Sequence, residues 1–156
     1  MITLYNVVSS DGFIARKDGS EDFIPDSYWP LTLAVLERYD CIVLGRKTFE
    51  TIQHYEKELR DSFDVLPVRK VVITTDKEFH PNQGYEVAHT PEAVIQSNLN
   101  IVVTSGPTLN QYLLDKNLVD RITYHQVPDV IGEGIKPYHD VGTVEVVKLE
   151  LAERIG

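Results

Sequence analysis

The chain has 156 residues, of which 42% are hydrophobic and 25% are charged, a length and composition that suit one globular domain with a sizeable core. Its 24 acidic and 15 basic residues give a net charge of -9, which disfavours nucleic acid and anionic membranes as partners. The sequence contains neither a basic leader nor an apolar stretch long enough to span a bilayer, and we expect a cytoplasmic protein.

The first half of the sequence predicts a strand, a long loop, a helix and a second strand. Residues 2–8 form a compact apolar run, typical of a strand. Turn signals dominate residues 13–26, which predicts a long ordered loop of the kind that often carries function. A helix is predicted from Ser27, its expected N-cap, and residues 41–44, which include the single cysteine Cys41, are predicted to be a buried strand.

The second half continues this alternation as far as residue 116, which indicates a largely parallel sheet covered on both faces. The last two predicted strands have no helix between them, which favours antiparallel pairing. The predicted fold class over residues 1–156 is therefore a single α/β domain with three α/β/α layers and a mixed, mostly parallel sheet with antiparallel C-terminal strands. The predicted elements are a helix after Gly45, strands 68–74 and 85–89, a short helix 91–97, a strand 100–104, a helix 107–116, and strands 121–127 and 143–151.

The turn Gly45-Arg46-Lys47-Thr48 joins a predicted strand to a predicted helix. Free N–H groups at a helix N-terminus attract anions, and glycine lets an oxyanion approach the backbone. Arg46 and Lys47 would add positive charge, and the Thr48 hydroxyl could donate to a phosphate. An ordinary tight turn with solvent-facing basic residues explains the same pattern, so the motif alone leaves both interpretations open.

Two further strand ends could belong to the same site. Residues 104–109 again join a strand, a small-residue turn and a helix with proline at its first position. A helix capped by Ser105 or Gly106 would explain this turn without a ligand. Thr74 and Thr75 could meet an adenosine ribose, although the next residue, Asp76, would repel a 2′-phosphate and favours an ordinary loop.

Metal and serine-hydrolase chemistry are not expected. The five histidines and the single cysteine have no metal-ligand spacing such as H-E-x-x-H, and the nucleophile-elbow pattern G-x-S-x-G does not occur.

Six motifs follow one another in a characteristic order: SSDGFIA (9–15), LGRKTFETI (44–52), VVITTD (71–76), VVTSGPTLNQYLL (102–114), LVDRITYH (118–125) and VPDVIGEGIKP (127–137). This order, which spans nearly the whole chain, resembles the dihydrofolate reductase-like superfamily. Within that superfamily the chain is most similar to the C-terminal reductase domain of bifunctional riboflavin-biosynthesis deaminase-reductases and their stand-alone relatives.

The resemblance implies an NADPH-dependent oxidoreductase that transfers hydride to an imine or carbonyl, with a CH–NH or CH–OH type donor. The cofactor would lie across the C-terminal ends of the strands. Its phosphates and adenosine would contact Gly45, Arg46, Lys47, Thr48, Thr74 and Thr75. Its pyrophosphate and nicotinamide ribose would contact Ser105, Gly106, Pro107, Thr108 and Leu109. Its nicotinamide would contact Val7, Ile14 and Ala15.

Two departures from the family leave the heterocyclic substrate open. Trp29 stands where dihydrofolate reductases carry a pterin-binding carboxylate, although Asp26 lies nearby. Thr104 stands where the riboflavin-type reductases carry glutamate. The expected substrate is a small pyrimidine or pteridine, as in 5-amino-6-(5-phosphoribosylamino)uracil reductases of riboflavin biosynthesis. Dihydrofolate reductase activity and a non-catalytic, nucleotide-binding homo-oligomer are the alternatives.

Asp26 and Tyr124 are the predicted catalytic residues, because a proton must reach the reduced product. Tyr124 lies on a predicted strand, where an ordinary core role is the favoured interpretation. Asp11 is a further candidate, although shaping its own turn is the favoured interpretation. The resemblance places three residues around the substrate, where each could also be plain packing: Trp29, Thr51 and Ile52.

Relatives usually return with one more strand after the segment equivalent to 144–151, which this chain, ending at Gly156, is too short to form. The last strand would then be an open edge or would be covered by a partner subunit. Because dimers are common in the family, we expect a homodimer.

Overall fold

The computed structural model describes residues 1–95 and 98–151. The strands are β1 (Ile2–Val8), β2 (Cys41–Gly45), β3 (Arg69–Ile73), β4 (Tyr85–Ala88), β5 (Ile101–Val103), β6 (Arg121–Gln126) and β7 (Glu145–Lys148). The helices are α1 (Tyr28–Leu36), α2 (Arg46–Gln53), α3 (Lys57–Asp64) and α4 (Pro107–Asp115), with a single 3-10 turn at Pro91–Ala93. The strands form one seven-stranded sheet in the order β4-β3-β2-β5-β1-β6-β7.

The sheet has helices on both faces because successive residues of its central strands point to opposite sides. On one side Ile42 and Leu44 pack in a cluster with side chains from α1, α2 and α3. On the other side Cys41 and Val43 pack in a cluster that includes Leu113 from α4. The predicted three-layer α/β/α arrangement is thereby confirmed.

The predicted antiparallel pairing of the C-terminal strands is wrong. β7 pairs with β6 in parallel, with Arg121 opposite Glu145 and Tyr124 opposite Lys148. Parallel neighbours need a long crossover connection, which usually contains a helix. Here residues 127–144 make that crossover as an irregular segment. The absence of a helix between β6 and β7 therefore did not indicate antiparallel strands. Within the described residues, the only antiparallel pairing is the isolated bridge between Ala15 and Ile135.

Three other elements differ from the sequence prediction. The helix predicted after Gly45 is two helices, α2 and α3, separated at residues 54–56. Ser27 precedes α1 but makes no side-chain cap, because the carbonyls of Pro25 and Asp26 already accept the N–H groups of the first two helical residues. The predicted helix 91–97 is a 3-10 turn at its start, and residues 96–97 lie outside the described part.

Among the described residues there is no helix with both the length and the hydropathy to cross a membrane.

Candidate functional site

A cavity of about 730 Å³ opens at the carboxyl ends of β1, β2, β3 and β5. This is the edge at which ligands gather in open α/β sheets, and the volume suits a small molecule or cofactor. We call it the strand-end cavity. Its wall includes Val7, Ile14, Ala15, Asp26, Trp29, residues 45–48, Thr51, Ile52, Thr74, Thr75 and residues 105–109.

The structure thus brings nearly all of the sequence-predicted site residues to one cavity. All fourteen residues proposed for the cofactor lie on its wall, as do the three proposed for the substrate and one of the two proposed as catalytic. The exception is Tyr124.

The first turn of the cavity joins β2 to α2 through Gly45. This glycine is extended and precedes the helix without any side-chain cap. Its N–H donates to the Ser105 hydroxyl at 3.1 Å, and a Cβ atom at Gly45 would lie 2.8 Å from that same oxygen. The first N–H groups of α2 are therefore without a side-chain cap, and the residues of this first turn, Arg46, Lys47 and Thr48, border the cavity.

The second turn joins β5 to α4 through Ser105 and Gly106. Gly106 is extended, Pro107 occupies the first helical turn, and no side chain caps the helix. The Ser105 hydroxyl does not cap the helix and instead accepts the Gly45 N–H. Two uncapped helix N-termini therefore open on the same cavity, which is an arrangement suited to an anion with two phosphates.

Asn110 holds the second turn from behind. Its side chain is fully buried and its amide donates to the Ser105 carbonyl at 3.3 Å and the Pro137 carbonyl at 3.0 Å. The Asn6 amide donates to the same Ser105 carbonyl at 2.9 Å. These bonds tie α4, β1 and the 127–144 crossover together around the turn.

The third strand end lies beside the first turn. Gly45 is opposite Ile73 in the β2–β3 register, so Arg46 and the segment Thr74–Asp76 leave the sheet next to one another. The Arg46 guanidinium donates to the Asp76 carboxylate at 2.6 Å and lies 4.8 Å from the centre of the Phe79 ring. The hydrogen bond from the Glu78 N–H is the largest cause of the lowered pKa of Asp76, and the hydrogen bond from Arg46 is the second. Asp76 is therefore ionised at neutral pH.

Ile14 and Ala15 are fixed to the cavity wall by backbone pairing. The Ile14 N–H donates to the Ile135 carbonyl and the Ile135 N–H donates to the Ala15 carbonyl, both at 2.8 Å. Asp11 supports this arrangement, since its carboxylate accepts the N–H groups of Ile131 and Gly132. Within its own turn the Asp11 carboxylate accepts the Ser9 hydroxyl, in agreement with the favoured turn-shaping interpretation, and its bonds to residues 131 and 132 reach beyond that turn.

The part of the cavity predicted for the substrate is aromatic. Trp29 donates its indole N–H to the Leu59 carbonyl and the Ser62 hydroxyl, each at 2.9 Å, and meets the Tyr55 ring edge to face. Thr51 donates its hydroxyl to the Lys47 carbonyl of its own helix. Ile52 is buried in the core as well as bordering the cavity. These three residues thus shape the wall, and their polar groups are already bonded within the protein.

The two predicted proton donors lie in different places. Asp26 is exposed and borders the cavity. Tyr124 does not border the cavity, although Asn6, its partner in the β1–β6 register, does. Its neighbour His125 contacts the ring of Tyr5, which is part of the wall. The predicted role of Tyr124 as a proton donor in the cavity is not supported by this placement.

Several acidic or hydroxyl-bearing residues of the cavity wall were not predicted from the sequence, among them Glu21, Tyr55 and Tyr5. Tyr55 donates its hydroxyl to Glu21 at 2.7 Å, and burial raises the pKa of Glu21. The Tyr5 hydroxyl lies 2.7 Å from Nδ1 of His125 and 3.2 Å from the Thr32 hydroxyl. The only signal for Glu21 was its position in the long 13–26 loop, and Tyr5 was indistinguishable from a core residue of an apolar strand.

Within residues 1–95 and 98–151, no group of three or more histidine, cysteine, aspartate or glutamate side chains has a geometry that could hold a metal ion.

Comparison with known proteins gives relatives of one fold. The chain is 25% identical to the uncharacterised Bacillus subtilis (strain 168) protein YwjB, over 98% of this chain and 91% of that protein. A Shewanella sp. PV-4 protein provisionally assigned to riboflavin biosynthesis has a crystal structure that superposes with a TM-score of 0.66 at 21% identity, covering 91% of this chain and 85% of that one.

Two further solved structures have better defined activities. The Thermotoga maritima diaminohydroxyphosphoribosylaminopyrimidine deaminase/5-amino-6-(5-phosphoribosylamino)uracil reductase superposes with a TM-score of 0.64 at 16% identity, over 90% of this chain and 49% of that one. The Enterococcus faecalis dihydrofolate reductase, solved with NADP(H), gives 0.62 at 17% identity, over 88% and 76% of the two chains. The model of the RibD C-terminal domain family matches residues 95–155. The chain therefore has the dihydrofolate reductase-like fold, and its C-terminal part matches the RibD C-terminal domain family.

Proposed function

We propose that the chain is an NADPH-dependent reductase of a small pyrimidine- or pteridine-type heterocycle, similar to 5-amino-6-(5-phosphoribosylamino)uracil reductases. The observation that carries this proposal is the pair of uncapped, glycine-led helix N-termini that open on one cavity. The uracil reductase and dihydrofolate reductase relatives support it, the second having been solved with NADP(H).

The residues of the cavity fit a dinucleotide cofactor. The N-termini of α2 and α4 would hold the pyrophosphate, Thr74 and Thr75 would contact the adenosine end, and Val7, Ile14 and Ala15 would contact the nicotinamide. A Cβ atom at Gly45 would collide with the Ser105 hydroxyl, so glycine is what keeps the two turns close together. When bound, the reduced nicotinamide supplies a hydride.

The chain itself orients the heterocycle, excludes water and supplies a proton. Trp29 and Tyr55 offer an aromatic wall on which a flat ring can pack. We propose Asp26 as the proton source, since it borders the cavity and its exposure lets it exchange protons with solvent.

Loss of nicotinamide absorbance in the presence of a candidate substrate tests the proposed reaction. We expect NADPH oxidation with 5-amino-6-(5-phosphoribosylamino)uracil, and oxidation with dihydrofolate instead would assign the dihydrofolate reductase type of activity. NADPH binding without oxidation by either compound would favour a non-catalytic nucleotide-binding protein and contradict a reductase of these two substrates.

We further propose a homodimer, as predicted from the sequence. β7 is at one edge of the described sheet, and its Val146 is 43% exposed. Exposed strand edges are commonly covered by another chain. Light scattering after size exclusion is expected to give the mass of two chains, and the mass of one chain at micromolar concentration would contradict the proposal.

A further inference from the structure

The ion pair between Arg46 and Asp76 lies at the adenosine end of the strand-end cavity. Arg46, Thr74 and Thr75 border the cavity, and Asp76 follows directly. Arg46 is also bonded to Glu50 at 3.3 Å and lies over the Phe79 ring. The guanidinium is therefore shared among two carboxylates and an aromatic face.

Arginine and aspartate favour opposite forms of an adenosine ribose. An acidic side chain at a strand end accepts a ribose 2′-hydroxyl, whereas an arginine accommodates a 2′-phosphate. Here the two side chains are joined at 2.6 Å. A 2′-phosphate would have to compete with Asp76 for Arg46 and would meet a second negative charge beside it.

We propose that Asp76 is a specificity-determining residue that lowers the preference of this chain for a 2′-phosphorylated dinucleotide over an unphosphorylated one. Rejection through a repulsive group is a common route to specificity. The inference rests on the proposed function, because it requires the cavity to hold a nicotinamide dinucleotide.

Partial exposure makes this pair easy to rearrange. The side chains of Arg46 and Asp76 are 39% and 42% exposed, so water can solvate either partner after a substitution. Lys47 borders the same cavity and has no ion pair among the residues described. Lys47 thus remains available to a phosphate, so NADPH can bind despite Asp76. Discrimination between the phosphorylated and the unphosphorylated dinucleotide is expected to be weak.

Isothermal titration calorimetry of the full chain tests the inference with NADPH and NADH. We expect the parent to bind the two within about tenfold of each other, and Asp76→Asn to tighten NADPH about tenfold without tightening NADH. The Asn side chain can still accept the Glu78 N–H that Oδ1 of Asp76 accepts at 2.9 Å, so the turn is preserved. Asp76→Glu keeps the charge and is expected to resemble the parent.

Glu86→Gln is the matched control. Glu86 forms an equally close pair with Arg69 at 2.6 Å, and the substitution removes the same charge away from the cavity. It is expected to leave both affinities unchanged. A smaller probe pair, adenosine 2′,5′-bisphosphate and adenosine 5′-monophosphate, isolates the 2′-phosphate, and only the first is expected to bind more tightly to Asp76→Asn.

The failure of this inference is distinguishable from that of the proposed function. If both dinucleotides bind but Asp76→Asn shifts them equally or not at all, Asp76 is not a specificity determinant and the cofactor site stands. If neither dinucleotide binds to the parent or the variants, the proposed function fails and this inference fails with it.

Discussion

The Gly45 N–H donates to the Ser105 hydroxyl at 3.1 Å and so joins the two helix-leading turns of the strand-end cavity. The residues are far apart in sequence but follow neighbouring strands, β2 and β5. Ser105 is 6% exposed, so its hydroxyl cannot move freely to make room. The spacing of the two helix N-termini therefore depends on the absence of a side chain at position 45.

Gly45→Ala is expected to weaken NADPH binding at least about tenfold and to destabilise the fold by about 1–2 kcal/mol, because its Cβ would crowd the Ser105 oxygen. The backbone angles of Gly45 are accessible to alanine, so the effect is steric. Calorimetry and urea unfolding measure the two quantities.

Ser105→Ala supplies the control for Gly45→Ala. It removes the oxygen that an alanine at position 45 would meet, so Gly45→Ala should cost less in the Ser105→Ala background than in the parent. Equal costs in both backgrounds would show that the contact between these two residues does not determine the effect.

Asn110→Ala is expected to lower the free energy of unfolding by about 1–3 kcal/mol, because it removes a buried amide that donates hydrogen bonds to the Ser105 and Pro137 carbonyls. Urea denaturation measures the loss. Gln111→Ala is the matched control on the same helix. Gln111 is only half-buried and accepts the His139 N–H in a solvent-exposed bond, so its substitution should cost less than Asn110→Ala. A cost for Asn110→Ala no greater than that of the control would contradict the role of Asn110 as the support of the turn.

Much of the fold and of the candidate site could be predicted, because both follow from local signals. Parallel buried strands have near-continuous apolar runs, as in residues 41–44, and turns that begin helices carry glycine, proline and small residues, as in 104–109. The match of the motif order to a known superfamily then assembled these turns into one site.

The parts that could not be predicted depend on contacts distant in sequence. The direction of β7 is set by the path of residues 127–144, which carries no periodic signal. The Glu21 and Tyr55 contact joins the 13–26 loop to the end of α2, and no local pattern links the two. Tyr124 was predicted to reach the cavity because the sequence does not say which side chains of β6 border it.

The partly buried carboxyl of Glu21 predicts a dependence of stability on pH. Burial raises the pKa of Glu21 above its ordinary value of 4.5 in the folded state, so the folded chain binds the proton more tightly than the unfolded chain does. The contribution of Glu21 to stability is therefore greatest below about 4.5 and is lost as the pH rises through the raised pKa.

Glu21→Gln is accordingly expected to stabilise the protein at neutral pH, with a gain over the parent that shrinks toward acid. Urea unfolding midpoints of parent and variant, measured from pH 4 to pH 8 in steps on the order of one pH unit, give the dependence of stability on pH for each protein. Parallel curves for parent and variant would contradict a raised pKa of Glu21 as the cause.

Asp26→Asn tests the proposed proton source. With whichever heterocycle the enzyme reduces, we expect kcat to fall by about 10²- to 10⁴-fold, and NADPH affinity measured by calorimetry to stay unchanged. Asp18→Asn is the loop-matched control, because the Asn side chain can still accept the Ser20 N–H that Asp18 accepts. A loss of kcat that is equal in the two variants would remove Asp26 from the mechanism.

Titration of NADPH into the full chain, followed by nicotinamide fluorescence and by quenching of Trp29 at the cavity wall, tests the central claim most directly. The account predicts saturable binding at one cofactor per chain in the micromolar to millimolar range, weakened at least about tenfold in the Lys47→Glu, Thr48→Ala double variant. The absence of saturable binding up to about 1 mM, or equal affinity of parent and double variant, would contradict it.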